Sequence, residues 1–153
     1  MKRKLILILP LALLVGCTNK VEEEKVSYLE YKNELAVQEE YTSEEDLEFN
    51  TYFNLDRVDE ETIGYSILID NPKTDMSNVK ALLIHDFATD DVFPSVGIFD
   101  DPVVLRKDTD DKITLKGTIK TISDEKDIHF KLYLEYTLED GNQNKVYYEV
   151  NRG

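Results

Sequence analysis

Apolar and polar residues alternate with a period of two from Leu47 onward, which constrains the fold of this chain more than any other feature. The clearest run covers residues 128–138, where every even position is apolar and the odd positions are mainly polar. Alternation of this kind is typical of a strand with one face on a core and one face in water. Similar runs lie at 47–55, 62–70, 112–122 and 145–150. Residues 79–87 are apolar on both phases, which predicts a central strand.

Turn residues separate these runs. Asp70-Asn71-Pro72 and Glu139-Asp140-Gly141-Asn142 have typical turn chemistry, and Asp140-Gly141 indicates a hairpin. Pro94, Gly97 and Pro102 confine residues 92–106 to short edge strands or loops, because proline cannot donate to a strand ladder. Six clear strands and one or two weak ones therefore predict an all-β domain at 47–153, an antiparallel sandwich. Its strand count and length resemble those of immunoglobulin-like and fibronectin-III-like domains, although the chain has one cysteine and no tryptophan.

The N-terminus predicts an export signal. Basic residues 2–4 precede an apolar stretch at 5–15, and Gly16-Cys17 follows. A spanning helix needs about 20 apolar residues, so this stretch is too short to cross a bilayer. Leu14-Val15-Gly16-Cys17 resembles the lipobox of bacterial lipoproteins. The open alternative is an ordinary secretory signal with an incidental buried cysteine.

The lipobox resemblance implies a specific maturation. The Cys17 thiol would take a diacylglycerol, the peptidase would recognise Leu14, Val15 and Gly16, and residues 1–16 would be removed. Two acyl chains would anchor the mature protein to the outer face of the cell membrane. Residues 47–153, with the segment 93–100, are also similar to small lipoproteins of low-GC Gram-positive bacteria, many of which have no assigned function.

Residues 17–46 are predicted to be a lipidated N-terminus and an acidic tether. Residues 18–27 are polar and charged enough for a linker. Residues 28–46 contain Tyr28, Tyr31 and Leu35, which is more apolar surface than a linker needs. They fit either a short helix or an irregular strand that docks on the domain, and periodicity does not decide between the two.

Charge excludes some partners. Removal of residues 1–16 leaves 15 Lys and Arg against 32 Asp and Glu, a formal charge of −17 on the mature chain. A phosphate-binding face needs clustered basic residues, so nucleic acid is excluded as a partner. The same charge disfavours a domain lying flat on anionic lipid. Lipidation of the single cysteine leaves none for disulfides, so the core alone must stabilise the domain.

No pattern in the sequence indicates catalysis. His85 is predicted to be a hydrogen-bonded core histidine and His129 a solvated one, because their spacing does not suit a metal pair. The chain contains no Gly-x-Ser-x-Gly nucleophile motif and no glycine-rich phosphate loop. We therefore expect no enzymatic activity and no cofactor. A deep cleft holding His85 with a buried carboxylate would revive an enzymatic function.

Acidic loops are predicted to gather at one pole of the sandwich. Oxygen ligands from several loops are what Ca²⁺ requires, so a calcium site is one hypothesis and a solvated acidic surface is the other. The candidate ligands are Asp56, Asp59, Glu60, Asp90, Asp91 and Asp124.

Tyr52, Tyr133 and Tyr147 fall on outward strand phases. They indicate either a recognition face or cross-strand packing. Together these patterns predict a non-enzymatic binding or structural module, anchored in the membrane and engaging an envelope protein or polymer. The alternative is a lipoprotein that binds a cation or small solute through its acidic loops.

Overall fold

The computed structural model describes residues 16–151, with side chains from residue 19 onward. Short 3-10 turns lie at Glu44–Asp46 and Glu125–Asp127. The helix and strands are α1 (Gly16–Ala36), β1 (Asn50–Asp59), β2 (Thr62–Asp70), β3 (Met76–His85), β4 (Ser95–Val96), β5 (Val103–Leu105), β6 (Lys112–Lys120), β7 (Phe130–Thr137) and β8 (Gln143–Glu149).

The strands form two antiparallel sheets. The first sheet has the order β1-β2-β6, and the second has the order β4-β3-β7-β8, with β5 also pairing with β3. Inward residues of both sheets, such as Ile67, Leu115 and Leu132, form one continuous apolar core. The prediction of a mostly β chain made of antiparallel sheets is therefore confirmed.

Two turns form where the sequence predicts them. Asn71 has a φ of 48° after β2, and Gly141 has a φ of 85° between β7 and β8. The Gly141 N–H donates to the carbonyl of Leu138, which closes the predicted hairpin. Positive φ is accessible to glycine and tolerated by asparagine, which explains both choices.

Strand β3 is buried on both faces, as its doubly apolar pattern predicts. Leu83 faces the core between the sheets. Leu82 and Ile84, on the other face, belong to a second apolar cluster with Tyr28 and Leu35 of α1. The molecule therefore has three layers, because α1 covers the outer face of the second sheet.

Residues 28–36, whose conformation the sequence leaves open, are helical, and α1 also includes the residues assigned to the tether. Tyr28, Tyr31 and Leu35 form a stripe along α1 at the spacing that places side chains on one helix face. Tyr28 and Leu35 are buried and Tyr31 is half-buried. We call these three residues the helix stripe. Residues 19–27 of α1 are mostly exposed.

Polar contacts fix the direction of α1 across the second sheet. Near its C-terminal end, Glu34 accepts hydrogen bonds from the Tyr147 hydroxyl and from Lys145 Nζ, both on β8. The Tyr147 hydrogen bond lowers the pKa of the Glu34 carboxyl. Further toward the N-terminus, Tyr31 stacks on Tyr133 of β7 and Tyr28 packs against Phe99, beyond β4. Helix α1 thus crosses the sheet from β8 to the β4 side.

Docking of α1 predicts a stability difference between two neighbouring substitutions. Leu35 is fully buried, so Leu35→Ala should lower the free energy of unfolding by about 2–5 kcal/mol. Val37, just after the helix, is 77% exposed, so Val37→Ala should change it by no more than about 0.5 kcal/mol. Urea denaturation of both variants measures the difference. Equal midpoints would contradict the docking of α1.

Candidate functional site

The predicted lipidation motif lies at the limit of the described residues. Leu14 and Val15 lie outside them, as does the side chain of Cys17. The backbone of Gly16 and Cys17 belongs to the described part of α1. Within residues 16–151, no helix is both long and apolar enough to cross a bilayer.

The predicted acidic loops do lie at one pole. The Thr121 N–H donates to the Glu61 carbonyl, and Asp86 and His129 are joined by two hydrogen bonds. These contacts bring together the 59–62 turn, the 86–94 loop and the 121–129 segment, which we call the acidic pole.

The candidate calcium ligands do not converge. Asp56 accepts from the Asn54 side chain, Asp59 from the Glu61 N–H and Asp124 from the Lys126 N–H. The backbone hydrogen bond to Glu61 also lowers the pKa of Asp59. Among the described side chains, no three His, Cys, Asp or Glu residues are arranged to hold a metal ion. The calcium hypothesis, which also included Glu60, Asp90 and Asp91, therefore gains no support.

A pocket of about 240 Å³ opens at this pole, between the edge of the first sheet and the 86–94 loop. Strand β2 contributes Tyr65, and β3 ends in the pocket wall at His85. The loop contributes Asp91 and Phe93, and β6 contributes Gly117. A cavity that combines aromatic walls with a few polar groups is the usual form of a small-molecule site.

Gly117 makes room for Tyr65. The two residues are directly opposite in the β2–β6 register, and a Cβ atom at position 117 would lie 2.4 Å from the Tyr65 hydroxyl. Tyr65 is only 5% exposed, and its hydroxyl makes no hydrogen bond to the described residues. Burial, with a smaller effect of the Asp91 charge, raises the pKa of Tyr65 to about 12, so the phenol is neutral at pH 7.

His85 lies in an aromatic environment. Its ring makes edge contacts with Tyr65, Phe93 and Phe130 at centroid distances of 5.5, 4.9 and 5.8 Å. Burial lowers the pKa of His85, an effect that the Phe87 carbonyl partly opposes. His85 is a core histidine, as predicted, but its Nδ1 atom is buried without a hydrogen-bond partner. His129 is exposed, on the outward phase where the sequence placed it.

Helix α1 supports one wall of this pocket. The Phe93 N–H donates to the Tyr28 hydroxyl at 2.9 Å, and Lys32 Nζ lies 5.5 Å from the centroid of the Phe93 ring. Burial raises the pKa of Tyr28, which keeps its hydroxyl neutral. From the sheet side, the Leu83 N–H donates to the Pro94 carbonyl at 3.1 Å. The 86–94 loop, which forms this wall, is therefore fixed by α1 on one side and by β3 on the other.

The recognition face, one of the two alternatives for Tyr52, Tyr133 and Tyr147, is largely covered. Tyr133 has no exposed surface under α1, and its hydroxyl donates to Glu135 at 2.5 Å, so the prediction that it faces solvent is wrong. Burial, reinforced by Glu135, raises the pKa of Tyr133. Tyr147 is half-buried, and burial together with Glu34 raises its pKa to about 12. Tyr52 alone of the three is largely exposed, at 56%.

Comparison of the chain with known protein families, with curated proteins and with solved structures finds no match. The pocket must therefore be interpreted from its own geometry. Sequence reasoning did not single out Tyr65, Gly117 or Lys32 as site residues. One feature pointed to Gly117: an isolated glycine inside an alternating strand often marks a close approach of another group.

The low pKa of His85 predicts a pH effect on stability. Neutral His85 contributes stability above the unfolded-state pKa of about 6.5, and that contribution is lost as the pH falls through the lower folded-state pKa. The free energy of unfolding should therefore fall more steeply below pH ~6.5 in the wild type than in His85→Phe. The difference should not exceed about 1.4 kcal/mol per pH unit.

Urea denaturation of the two proteins between acid and neutral pH measures this difference. His129→Gln is the matched control, because it removes the exposed histidine and keeps the buried one, and its profile should follow the wild type. Parallel profiles for the wild type and His85→Phe would contradict the assigned environment of His85.

Proposed function

We propose that this protein is a lipid-anchored extracytoplasmic lipoprotein whose sandwich is a non-enzymatic binding module at the cell surface. The observation that carries the proposal is the continuity of α1. The described part of the helix includes Gly16 and Cys17, where the lipobox would place the lipid, and continues without a break into the docked helix stripe.

Helix geometry supports a short, stiff connection between lipid and domain. Tyr28, the first buried residue of the helix stripe, lies eleven positions after Cys17, which is roughly 16 Å of helix at 1.5 Å per residue. A body of formal charge −17 is repelled by anionic headgroups. The helix would therefore hold the sandwich near the membrane without letting it lie flat on the surface.

The strand order supports a finer description of the fold. A three-stranded sheet of the first, second and sixth strands faces a sheet in which the third strand lies between the fourth and the seventh, followed by the eighth. This resembles the arrangement of immunoglobulin-like and fibronectin-III-like domains. Such sandwiches present loops at their poles and outer sheet faces to partners. Here the outer face of the first sheet, including Tyr52, is free of α1 and suits an envelope protein or polymer.

The pocket favours binding over catalysis. The buried Nδ1 of His85 has no carboxylate or nucleophile within hydrogen-bond distance, so the nucleophile–base–orienter arrangement of acyl-transfer enzymes has no counterpart there. The same pocket favours the second candidate function, binding of a small solute. Its aromatic walls and unpartnered polar groups suit an organic molecule better than a metal ion.

Substitution of Cys17 tests the anchor. In a bacterial host supplied with a clickable palmitate analogue, the wild-type protein should be labelled and recovered with the membrane fraction, whereas Cys17→Ala should be unlabelled. Thr18→Ala, which keeps the thiol, is the matched control and should behave as the wild type. A labelled Cys17→Ala protein, or a native protein of unmodified mass with residues 1–16 still attached, would contradict the proposal.

A further inference from the structure

We propose that the pocket at the acidic pole binds a small protonated amine with an apolar body. The proposal deepens the binding function above by naming its ligand class. It starts from two polar side chains in the pocket wall, Tyr65 and His85, that are each more than nine-tenths buried. The ring of His85 is hydrogen-bonded to the Phe87 carbonyl, but its Nδ1 atom has no hydrogen-bond partner. A buried polar group without a hydrogen bond costs free energy, which a ligand of matching chemistry would recover.

The groups that line the pocket are acceptors. The neutral Tyr65 hydroxyl has free lone pairs, and a neutral imidazole with its proton on Nε2 presents Nδ1 as an acceptor. The Asp91 carboxylate adds a negative charge and forms no ion pair with the described residues. The Tyr65 hydroxyl and the Asp91 carboxylate match N–H donors of an ammonium group, and the unpartnered Nδ1 atom of His85 adds an acceptor in the pocket wall.

Lys116 is a cationic residue among those that line the pocket, and its position on β6 places its side chain on the outward face of the strand. Lys116 is exposed and shares the outward phase of β6 with Thr114 and Thr118, whereas Gly117 shares the inward phase with Leu115. Alternation along a strand places successive side chains on opposite faces. The outward phase therefore directs the Lys116 side chain away from Tyr65, which lies opposite Gly117.

Aromatic walls add attraction for a cation. Tyr65 and Phe93 present rings to the pocket, and ammonium groups bind to such rings through cation–π interactions. Phe93 already makes this kind of contact with Lys32. The formal charge of −17 raises the local concentration of cations around the domain.

Size limits the ligand. A volume of about 240 Å³ corresponds to about eight water molecules, which leaves room for roughly eight non-hydrogen atoms. Benzylammonium has this size, an apolar ring and one ammonium group. Benzyl alcohol and benzoate are nearly isosteric, and they replace the positive charge by a neutral or a negative group.

The first experiment compares these three probes. The full mature protein, kept in detergent micelles with its lipid, is titrated with each probe and binding is followed by calorimetry and saturation-transfer NMR. Benzylammonium should saturate and should bind at least tenfold more tightly than benzyl alcohol, with benzoate weakest. Equal affinities, tighter binding of benzoate or no saturation by benzylammonium would overturn the proposal.

Three variants locate the binding. Tyr65→Phe removes only the pocket hydroxyl and should weaken benzylammonium binding at least about tenfold, the lower end of the effect expected for a hydrogen bond to a charged group. Tyr136→Phe removes the hydroxyl of a buried core tyrosine outside the pocket lining and should leave the affinity within twofold of the wild type. Asp91→Asn, at an exposed position, should weaken binding of benzylammonium and leave that of benzyl alcohol unchanged.

If Tyr65→Phe or Tyr136→Phe misfolds, thermal melting will identify that variant. The comparison of Asp91→Asn with the wild type then tests the proposal. Unchanged affinity in Asp91→Asn, or equal losses in Tyr65→Phe and Tyr136→Phe, would place the binding elsewhere. This test is independent of the test of the lipid anchor. If Cys17 is acylated but the protein does not bind the amine, only the proposed ligand class is refuted.

Discussion

Packing of the helix stripe on the second sheet is the interaction on which the rest of the structure depends. It covers Leu82, Ile84 and Tyr133, which would otherwise leave a second apolar face in water. Through the hydrogen bond between Tyr28 and Phe93 it also positions the wall of the pocket. Because α1 contains Gly16 and Cys17, one element links the proposed lipid site, the outer face of the sheet and the candidate ligand site.

Charge is distributed to favour this packing. The chain has few basic residues, yet Lys80, Lys131 and Lys145 all meet α1 on the same sheet face. They contact the Tyr31 hydroxyl, the Ala36 carbonyl and the Glu34 carboxylate. The pair of Lys145 and Glu34 is partly exposed and contributes little alone, so burial of Leu35 and its neighbours must supply most of the stabilisation. The polar contacts chiefly set the position of the helix.

The strands could be predicted and the layer above them could not. Period-two alternation marked the strands, and the doubly apolar pattern of 79–87 marked β3 as central. Alternation tells which side of a sheet a residue faces but not what covers that side, so Tyr133 was assigned correctly to the outer face and wrongly to solvent. The spacing of Tyr28, Tyr31 and Leu35 became interpretable only once that sheet face was known. The pocket depends on the pairing of Tyr65 with Gly117, which residue patterns do not reveal.

Amide hydrogen exchange in the lipidated full-length protein tests the central claim, that α1 is a packed layer of the domain, most directly. The amides of residues 28–36 should exchange as slowly as those at the margins of β7 and β8, since they are released only when the helix leaves the sheet. Residues 19–27, which are mostly exposed, should exchange faster. Exchange of residues 28–36 at the rate of an unstructured peptide, with the strands still protected, would contradict the account.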